Sequence, residues 1–599
     1  MLTVTDCLLT LPNGEMHPIV WREIPLNSTY FLKQVDHLLT DNELNRPPLD
    51  YLIGMYDEET DELLACGGLG GSTIQCVAVS PAARSLNLAG KIVTLLLTRA
   101  SQAGLSNVTV FTKPENKALF ISMGFHLVAQ AQRAIMLEHD RRALKRYVDY
   151  LTSLQRGGVC GAIVMNANPL TRGHLYLINR AREQVDHLFI ILVADNPHNL
   201  FSYAERHEIL EKAVQTMNNV TLVEGSIYSV SAATFPSYFI KEKSAVSATH
   251  IELDLNLFAE HLAPALKVSK RFVGSEPDDE LTAAYNEGMH RLLPTQGIEV
   301  IEIPRCKQAA EDNCISASRL RKALTGGKLL QALDWAAPES VPFIWSKAAT
   351  AALQAELDLT PKPGLVDRHN SGAHSDMDYA LMRSSICALD QSFCRIAEVA
   401  SHTPTLPDCT QLAAIGREGE QQMLKATRGV NTHKGALFAM GLTLAAAVHL
   451  HTTKLPLNTE HLQNTIARLA ACFTRPADTH GATIHRQYGV PGALDNARTG
   501  YAQLFNQWLP FWKQQQHTPD PLYRLLLYIM STLDDTNVLH RVGNRRAAEV
   551  KSEAKHLLEN FTLNQLEQLD RIYIEQNISP GGAADMLALT LFIAAVCTE

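Results

Sequence analysis

The sequence has no Cys-x-x-Cys pair; its eleven cysteines stand singly along 599 residues. That pattern suggests neither a disulfide framework nor a zinc site. A basic excess is missing too. Lys and Arg number 53 against 62 Asp and Glu, a formal charge of −9. Such a balance argues against a nucleic-acid partner and leaves room for a local nucleotide site. Long apolar runs are absent. The most apolar stretch, GALFAMGLTLAAAVHL at 435–450, is short for a membrane span and is followed by His451 and Lys454. It is expected to be a buried Ala-rich helix, with no membrane partner. The opening MLTVTDCLLTLPNGEMHPIVW lacks a basic region ahead of an apolar core, so no secretory signal is expected and the expected location is cytoplasmic. No internal repeat or low-complexity tract is present. Apolar residues at 46% and charged residues at 19% are ordinary globular composition. The length then bounds the chain at roughly three or four domains.

Three blocks follow one another. Residues 1–148 open with short strand-like runs and end in a charged helical pattern. Residues 149–335 alternate strand and helix: CGAIVM, a helix from Gly173, LFIILVA, a helix from Tyr203. Such alternation predicts a parallel sheet. Residues 345–599 hold long helical patterns and predict an all-α domain. The Gly- and Pro-punctuated run GGKLLQALDWAAPESVPF, from Gly326, marks the change.

In the second block the strand CGAIVM runs into NANPLTRGH and directly into a helical pattern. A strand, a tight loop and a helix aim helix N-terminal amides at phosphate. Thr171, Gly173 and His174 form T-x-G-H, with Asn168 in the loop before it. Gly173 lets backbone approach a phosphate. His174 can donate to charge growing on an attacked α-phosphate. Later comes ISASRLRKAL, where Ser316 and Ser318 precede Arg321 at a helix start and predict a second phosphate clamp. Alone, His174 reads better as a helix cap and Arg321 as a solvated charge. In order, and in the right elements, they point to one site. The pair resembles the H/T-x-G-H and I-S-x-T-x-x-R motifs of the nucleotidyltransferase superfamily and implies a Rossmann-like α/β domain. Thr171 stands for the first His, and Ser318 for Thr. Arg206, and Glu276 within RFVGSEPDD, also resemble family segments and are expected near the nucleotide.

In the first block CVAVSPAARSLNLA reads as a strand and a loop into a helix. The spacing of Arg84, Asn87 and Ala89 resembles the pyrophosphate loop of GNAT acyltransferases, with Asn87 where Gly is usual; Asn tolerates left-handed backbone. Asn116, Ala118, Gly124 and Phe125 match that family's ending. The resemblance implies a GNAT-like α/β domain that holds CoA or a phosphopantetheine arm. A GNAT-like domain followed by these two motifs is the order found in citrate lyase ligase, which this chain resembles over about residues 1–335. That implies a reaction: acetate and ATP give acetyl-AMP and pyrophosphate, and the acetyl group passes to the prosthetic-group thiol on the citrate lyase acyl carrier protein.

The third block carries polar clusters in helical sequence: TPKPGLVDRHNSGAHSDMD, GVNTHKG, HGATIHRQYGVPGA, LDDTNVLHRVG and SPGGAADMLA. Glycines and prolines in helices cost stability, and such choices are expected at sites. The clusters resemble triphosphoribosyl-dephospho-CoA synthase over about residues 345–599. The implied reaction joins the triphosphoribosyl unit of ATP to a ribose hydroxyl of 3′-dephospho-CoA and releases adenine. Asp376 and Asp535 are expected as base or Mg²⁺ ligands, with Asp378 and Asp534 beside them. His374, His433 and His480 are expected in acid–base roles. Lys362, Lys434 and Arg541 are expected on the triphosphate, with Asn431 and Asn537 in the same clusters. His449 and His451 read as structural, and Asp585 as either a site group or a charge favoured by a helix dipole. The two activities serve one enzyme. The alternatives are a nucleotidyltransferase for another acid, a relative from the malonate decarboxylase system, and a scaffold that only binds the acyl carrier protein.

Overall fold

The strand-like runs of the first block pair into an eight-stranded sheet. Its strands are β1 (Leu8–Thr10), β2 (Met16–Glu23), β3 (Tyr51–Asp57), β4 (Leu63–Gly70), β5 (Thr73–Val79), β6 (Thr109–Thr112), β7 (His126–Gln130) and β8 (Ile135–Glu138). Their order is β1-β2-β3-β4-β5-β6-β8-β7. All neighbours are antiparallel except β5 and β6, which pair in parallel only at Thr73–Thr109 and Ile74–Val110. Helix α1 (Leu88–Gln102) packs on this sheet through Ile92, Val93 and Leu96, the apolar side of its 3.6-residue period.

The second sheet is wholly parallel. Its strands β9 (Cys160–Met165), β10 (His187–Leu192), β11 (Val220–Val223), β12 (Val268–Gly274) and β13 (Glu299–Ile303) lie in the order β11-β10-β9-β12-β13. Strand β10 is buried along its whole length, as the continuous apolar run LFIIL requires in a sheet covered on both faces. Helices α2 (Arg172–Arg182) and α3 (Tyr203–Val214) follow β9 and β10. The order reverses between β9 and β12. Ligands of such sheets bind beyond the strand C-termini at this point, and here the T-x-G-H loop emerges from β9.

The computed structural model describes residues 8–10, 16–194, 199–229, 239, 243–275, 280–304, 315–402, 404–474 and 480–597. The chain divides into two units, Met1–Ala317 and Ser318–Glu599. Both sheets belong to the first unit. Residue 148 falls inside a helix, Ala143–Ser153, that ties them together. Glu138 at the end of β8 accepts from the Leu144 amide at 3.1 Å and from the Tyr228 hydroxyl at 2.5 Å.

The second unit is helical. Among its helices are α4 (Ala317–Thr325, which starts at the division), α5 (Val341–Asp358), α6 (Tyr379–Ser401), α7 (Lys434–Thr452), α8 (Thr536–Glu559) and α9 (Gly581–Val596). The apolar run singled out in the sequence is α7. Residues from Ala436 to Leu450 are almost all buried in it, so its apolarity fits the middle of a helical core. His449 is buried, and His451 meets the Trp345 ring edge-on at 5.9 Å, as structural residues would. The chain thus runs from a GNAT-like α/β layer through a Rossmann-like α/β layer to an all-α unit.

Candidate active sites

The loop from β9 to α2 has unusual backbone: Ala167 has φ 46° and Asn168–Pro169 is cis. Its shape is held by polar groups. The buried Asn168 amide accepts from the Phe201 N–H at 3.0 Å and donates to Asn199 at 2.9 Å. Arg206 is fully buried, and its guanidinium donates to the carbonyls of Asn166, Val193 and Phe201. Sequence reasoning expected Arg206 near the nucleotide, and these carbonyls tie its buried guanidinium to the loop.

Thr171 is the N-cap of α2. Its hydroxyl accepts from the His174 N–H at 3.3 Å, and its own N–H donates to His174 Nδ1 at 3.0 Å. This is a capping box with His in the place of Glu. Capping and function are therefore not alternatives for His174. Because Nδ1 accepts, the neutral ring carries its proton on Nε2, and Nε2–H is the donor. Gly173 lies against the second motif: a Cβ there would stand 3.0 Å from the Ile315 carbonyl oxygen, next to Ser316. Gly173→Ala is expected to push this contact open by a few tenths of an ångström. A displacement of 1 Å costs ~10²-fold, so this smaller one should raise the KM for ATP in AMP formation on the order of tenfold. Initial-rate kinetics on the two reactions would check it, with adenine release unchanged. In the second unit, Arg321 donates to the exposed Ser318 hydroxyl at 3.2 Å, and burial lowers its pKa. Glu276 lies outside the described residues.

In the GNAT-like layer the short helical turn Pro81–Leu86 leads into α1 through Asn87, which has φ 53°. Asn thus takes the left-handed position that Gly usually fills. Arg84 is exposed on the turn, and Ala89 lies in the first turn of α1. A cavity of about 440 Å³ opens beside it, lined by Met55, Asn87, Lys91, Thr94 and Met123 among others. Asn116 donates to the Thr112 hydroxyl at 2.8 Å and so fixes the turn after β6.

The polar clusters of the helical unit come together. The Lys362 amine is buried and donates to the Glu356 carboxylate at 2.5 Å and to the Glu356 carbonyl at 2.8 Å. It is paired here with Glu356, a partner that sequence reasoning missed. The Asp535 carboxylate caps two helices. It accepts from Asn537 N–H at 2.8 Å at the start of α8, and from Ala583 N–H at 2.9 Å in α9. Both oxygens accept from backbone N–H groups, so Asp535, expected as a base or Mg²⁺ ligand, also joins the starts of α8 and α9. Burial still raises its pKa against those N–H bonds.

His374 was expected to move protons. Arg541 donates to its Nδ1 at 3.2 Å, so Nε2–H donates to Ser579 at 2.8 Å. Burial and then the Arg541 charge lower its pKa. With both nitrogens engaged, His374 holds the 360–374 loop in place. Arg541 also donates to the Ala373 carbonyl and to Asn577. Asp376 is exposed, 3.8 Å from His374. Asp378 caps α6 by accepting from the Leu381 N–H at 2.8 Å. Lys434 pairs with Glu420, and Asp534 with Lys551, each at 2.5 Å on the surface. Asn431 is exposed. His480 opens the helix His480–Tyr488, and its side chain lies outside the described residues.

His433 is buried at the N-cap of α7. The Thr432 hydroxyl donates to Ser385 Oγ at 2.7 Å, which leaves the Ser385 proton for His433 Nδ1 at 2.8 Å. Nε2 then carries the ring proton, and it has no partner among the described residues. Burial, and then the nearby Lys362 charge, lower its pKa to about 4. At neutral pH His433, expected in an acid–base role, is therefore a neutral donor. The pH dependence follows. Its folded pKa lies below the ordinary 6.5, so the unfolded chain takes up the proton first as pH falls. The contribution is present above pH ~6.5 and is lost toward pH ~4, on the order of 3 kcal/mol in all. Urea unfolding of the helical unit should weaken on acidification more in the wild type than in His433→Asn; parallel slopes would contradict this.

Three helix N-termini surround these side chains. A Cβ on Gly435, in the first turn of α7, would lie 2.3 Å from Asp585 Oδ2 of α9. One on Gly582 of α9 would lie 2.9 Å from Asp535 Oδ1 at the cap of α8, and one on Gly581 would lie 3.0 Å from Asn537. Glycines let the ends of α7, α8 and α9 converge. Converging N-termini bring positive dipole ends to one volume, which suits a polyphosphate.

Two family models match the chain, and the first crosses the division between the units. Residues 160–341 match the family model described as citrate lyase ligase C-terminal domain, and 344–599 match ATP:dephospho-CoA triphosphoribosyl transferase. The chain is 40% identical over 294 residues to the citrate (pro-3S)-lyase ligase of Klebsiella pneumoniae, covering 48% of this chain and 85% of that one. It is 38% identical over 257 residues to the "Probable 2-(5''-triphosphoribosyl)-3'-dephosphocoenzyme-A synthase" of Pseudomonas paraeruginosa, covering 41% and 88%. A pantothenate synthetase structure from Thermus thermophilus is 18% identical, covering 35% of this chain and 72% of that one at a TM-score of 0.21. The chain belongs to the citrate lyase ligase family in its first half and to the triphosphoribosyl-dephospho-CoA synthase family in its second, and it is a bifunctional enzyme of citrate lyase maturation.

Proposed function

We propose that residues 1–335, a GNAT-like domain to 148 and a nucleotidyltransferase domain from 149, activate and transfer acetate. Residues 345–599 build the prosthetic-group precursor, and both reactions run in the cytoplasm. In the first, ATP places its α-phosphate at the N-terminus of α2. An acetate oxygen attacks α-phosphorus, the bond to pyrophosphate breaks, and acetyl-AMP forms. His174 Nε2–H donates to the phosphoryl oxygens as charge develops, and the amides beside Gly173 face the phosphates. For Ser316, Ser318 and Arg321 a phosphate role is supported by their motif. The thiol on the citrate lyase acyl carrier protein then takes the acetyl group, and AMP leaves. The left-handed Asn87 and the cavity beside α1 suit the phosphopantetheine arm of that thiol, with Arg84, Ala89 and Asn116 around it.

The observation that carries this reading is the Thr171–His174 capping box, placed where the strand order reverses and holding Nε2–H as a donor. Acetate labelled with ¹⁸O in both oxygens tests it. One labelled oxygen should appear in AMP, because the oxygen that bonded to phosphorus stays there when the thiol takes the acetyl group. Unlabelled AMP would mean hydrolysis without acyl adenylate.

In the second reaction ATP and 3′-dephospho-CoA are the substrates. The triphosphate lies at the joined N-termini of α7, α8 and α9, within reach of Lys434 and Arg541. His433 donates its Nε2–H to substrate. Mg²⁺ enters as MgATP, with the exposed Asp376 as the carboxylate in reach.

A further inference from the structure

Expelling adenine from ATP needs a proton for the departing base, and no residue assigned above supplies one. His433 is a neutral donor with its other nitrogen occupied, His374 has both nitrogens engaged, and Asp535 has both oxygens engaged. Asp585 differs from all of these. It lies in the second turn of α9, beyond the first-turn amides that would favour a carboxylate by dipole. Its carboxyl group faces Gly435 at the start of α7, where the three helix ends meet. No N–H or O–H among the described residues donates to it, although it is half-buried. Tyr501, whose hydroxyl is buried without a partner, faces it from the loop before Leu504.

We propose that Asp585 is the catalytic acid that protonates adenine as it leaves; this rests on reading the second half as a transferase from ATP. The acceptor hydroxyl oxygen of dephospho-CoA bonds to C1′ of the ATP ribose. The C1′–N9 bond breaks, and its electron pair goes to adenine. The Asp585 proton moves to a ring nitrogen of adenine, leaving a carboxylate. The proton shed by the acceptor hydroxyl restores the acid form, so atoms and charge balance. The surroundings favour a carboxylic acid at rest. Burial comes first, then the carboxylates of Glu356 on α5 and of Asp535 at the cap of α8, and together they raise the Asp585 pKa well above the ordinary carboxylate value. Lys362 is bonded to Glu356, His433 is neutral, and Tyr501 is uncharged, so no cation is hydrogen-bonded to Asp585. A neutral acid also avoids repelling a triphosphate held beside it.

The test is adenine release from ATP and dephospho-CoA by the full chain, as a function of pH. Wild-type kcat should fall on the alkaline side as the acid form is lost. Asp585→Asn should lower kcat by ~10²–10⁴-fold with KM for ATP within a few-fold, and its alkaline limb should be flat. Asp585→Glu should regain part of the rate with a displaced limb. Cooperative urea unfolding of the helical unit in both variants reports that this unit is folded. A normal kcat in Asp585→Asn, a loss confined to KM, or an alkaline limb that survives the substitution would overturn the assignment. Wild-type protein that releases no adenine would overturn the transferase reading itself.

Discussion

His174→Ala should stop acetate-dependent formation of AMP and pyrophosphate, with a fall of ~10²–10³-fold or more, and leave adenine release at the wild-type rate. The size follows from what the side chain does. Thr171 N–H occupies Nδ1, so the ring has one orientation and one tautomer, with Nε2–H as its donor. Losing a single pre-aimed donor to developing charge costs ~10²–10³-fold. The same substitution removes half of a capping box, which costs about 1 kcal/mol. The two effects separate by a second variant. His174→Asn keeps a short polar side chain that favours a helix start, so it should recover stability and not activity. Loss of both activities in folded protein would contradict separate sites.

His433→Ala should do the reverse. Adenine release should fall by ~10²–10³-fold, while acetate activation is untouched. Here the donor is held by a relay from Thr432 to Ser385 to Nδ1, and Nε2–H has no protein partner to replace among the described residues. The substitution also leaves a cavity behind α6. Ser385→Ala is therefore the informative companion: it keeps the ring and frees the tautomer. It should give a smaller loss, with kcat affected more than KM. Equal kinetics in all three proteins would remove His433 from the reaction.

The two halves use one device. Each has a histidine at the start of a helix, with Nδ1 committed to the protein and the proton left on Nε2. The difference is what commits Nδ1: a backbone amide three residues away for His174, and a hydroxyl 48 residues away for His433. This also explains what the sequence could reveal. Strand β9 was legible to the residue because CGAIVM is a continuous apolar run between Gly158 and the Asn-Ala-Asn-Pro turn. The T-x-G-H cap is local, so its spacing displayed it. Helix α7 was legible because an Ala-rich apolar run with no charge has one place in a helical unit.

What stayed hidden depended on partners far along the chain. A buried Lys362 and an exposed one look alike in TPKPG; Glu356, inside an ordinary helix, decides between them. That Asp535 joins two helix starts was hidden because its second N–H donor, Ala583, is 48 residues away. Arg206 has a charge that suits a phosphate, but carbonyls from two strand ends surround it. The SPGGAAD cluster did mark Asp585. A dipole role stayed open only because the sequence does not show that α9 begins four residues earlier, with no amide left for the carboxylate.

The most direct measurement is product analysis of the purified chain with MgATP and 3′-dephospho-CoA. The account predicts free adenine, formed only when dephospho-CoA is present, in a one-to-one ratio with a product that retains all three phosphates of ATP. Release of ADP, or of AMP with pyrophosphate, and no adenine would contradict a glycosyl transfer in the helical unit and with it the pairing of two maturation reactions in one chain.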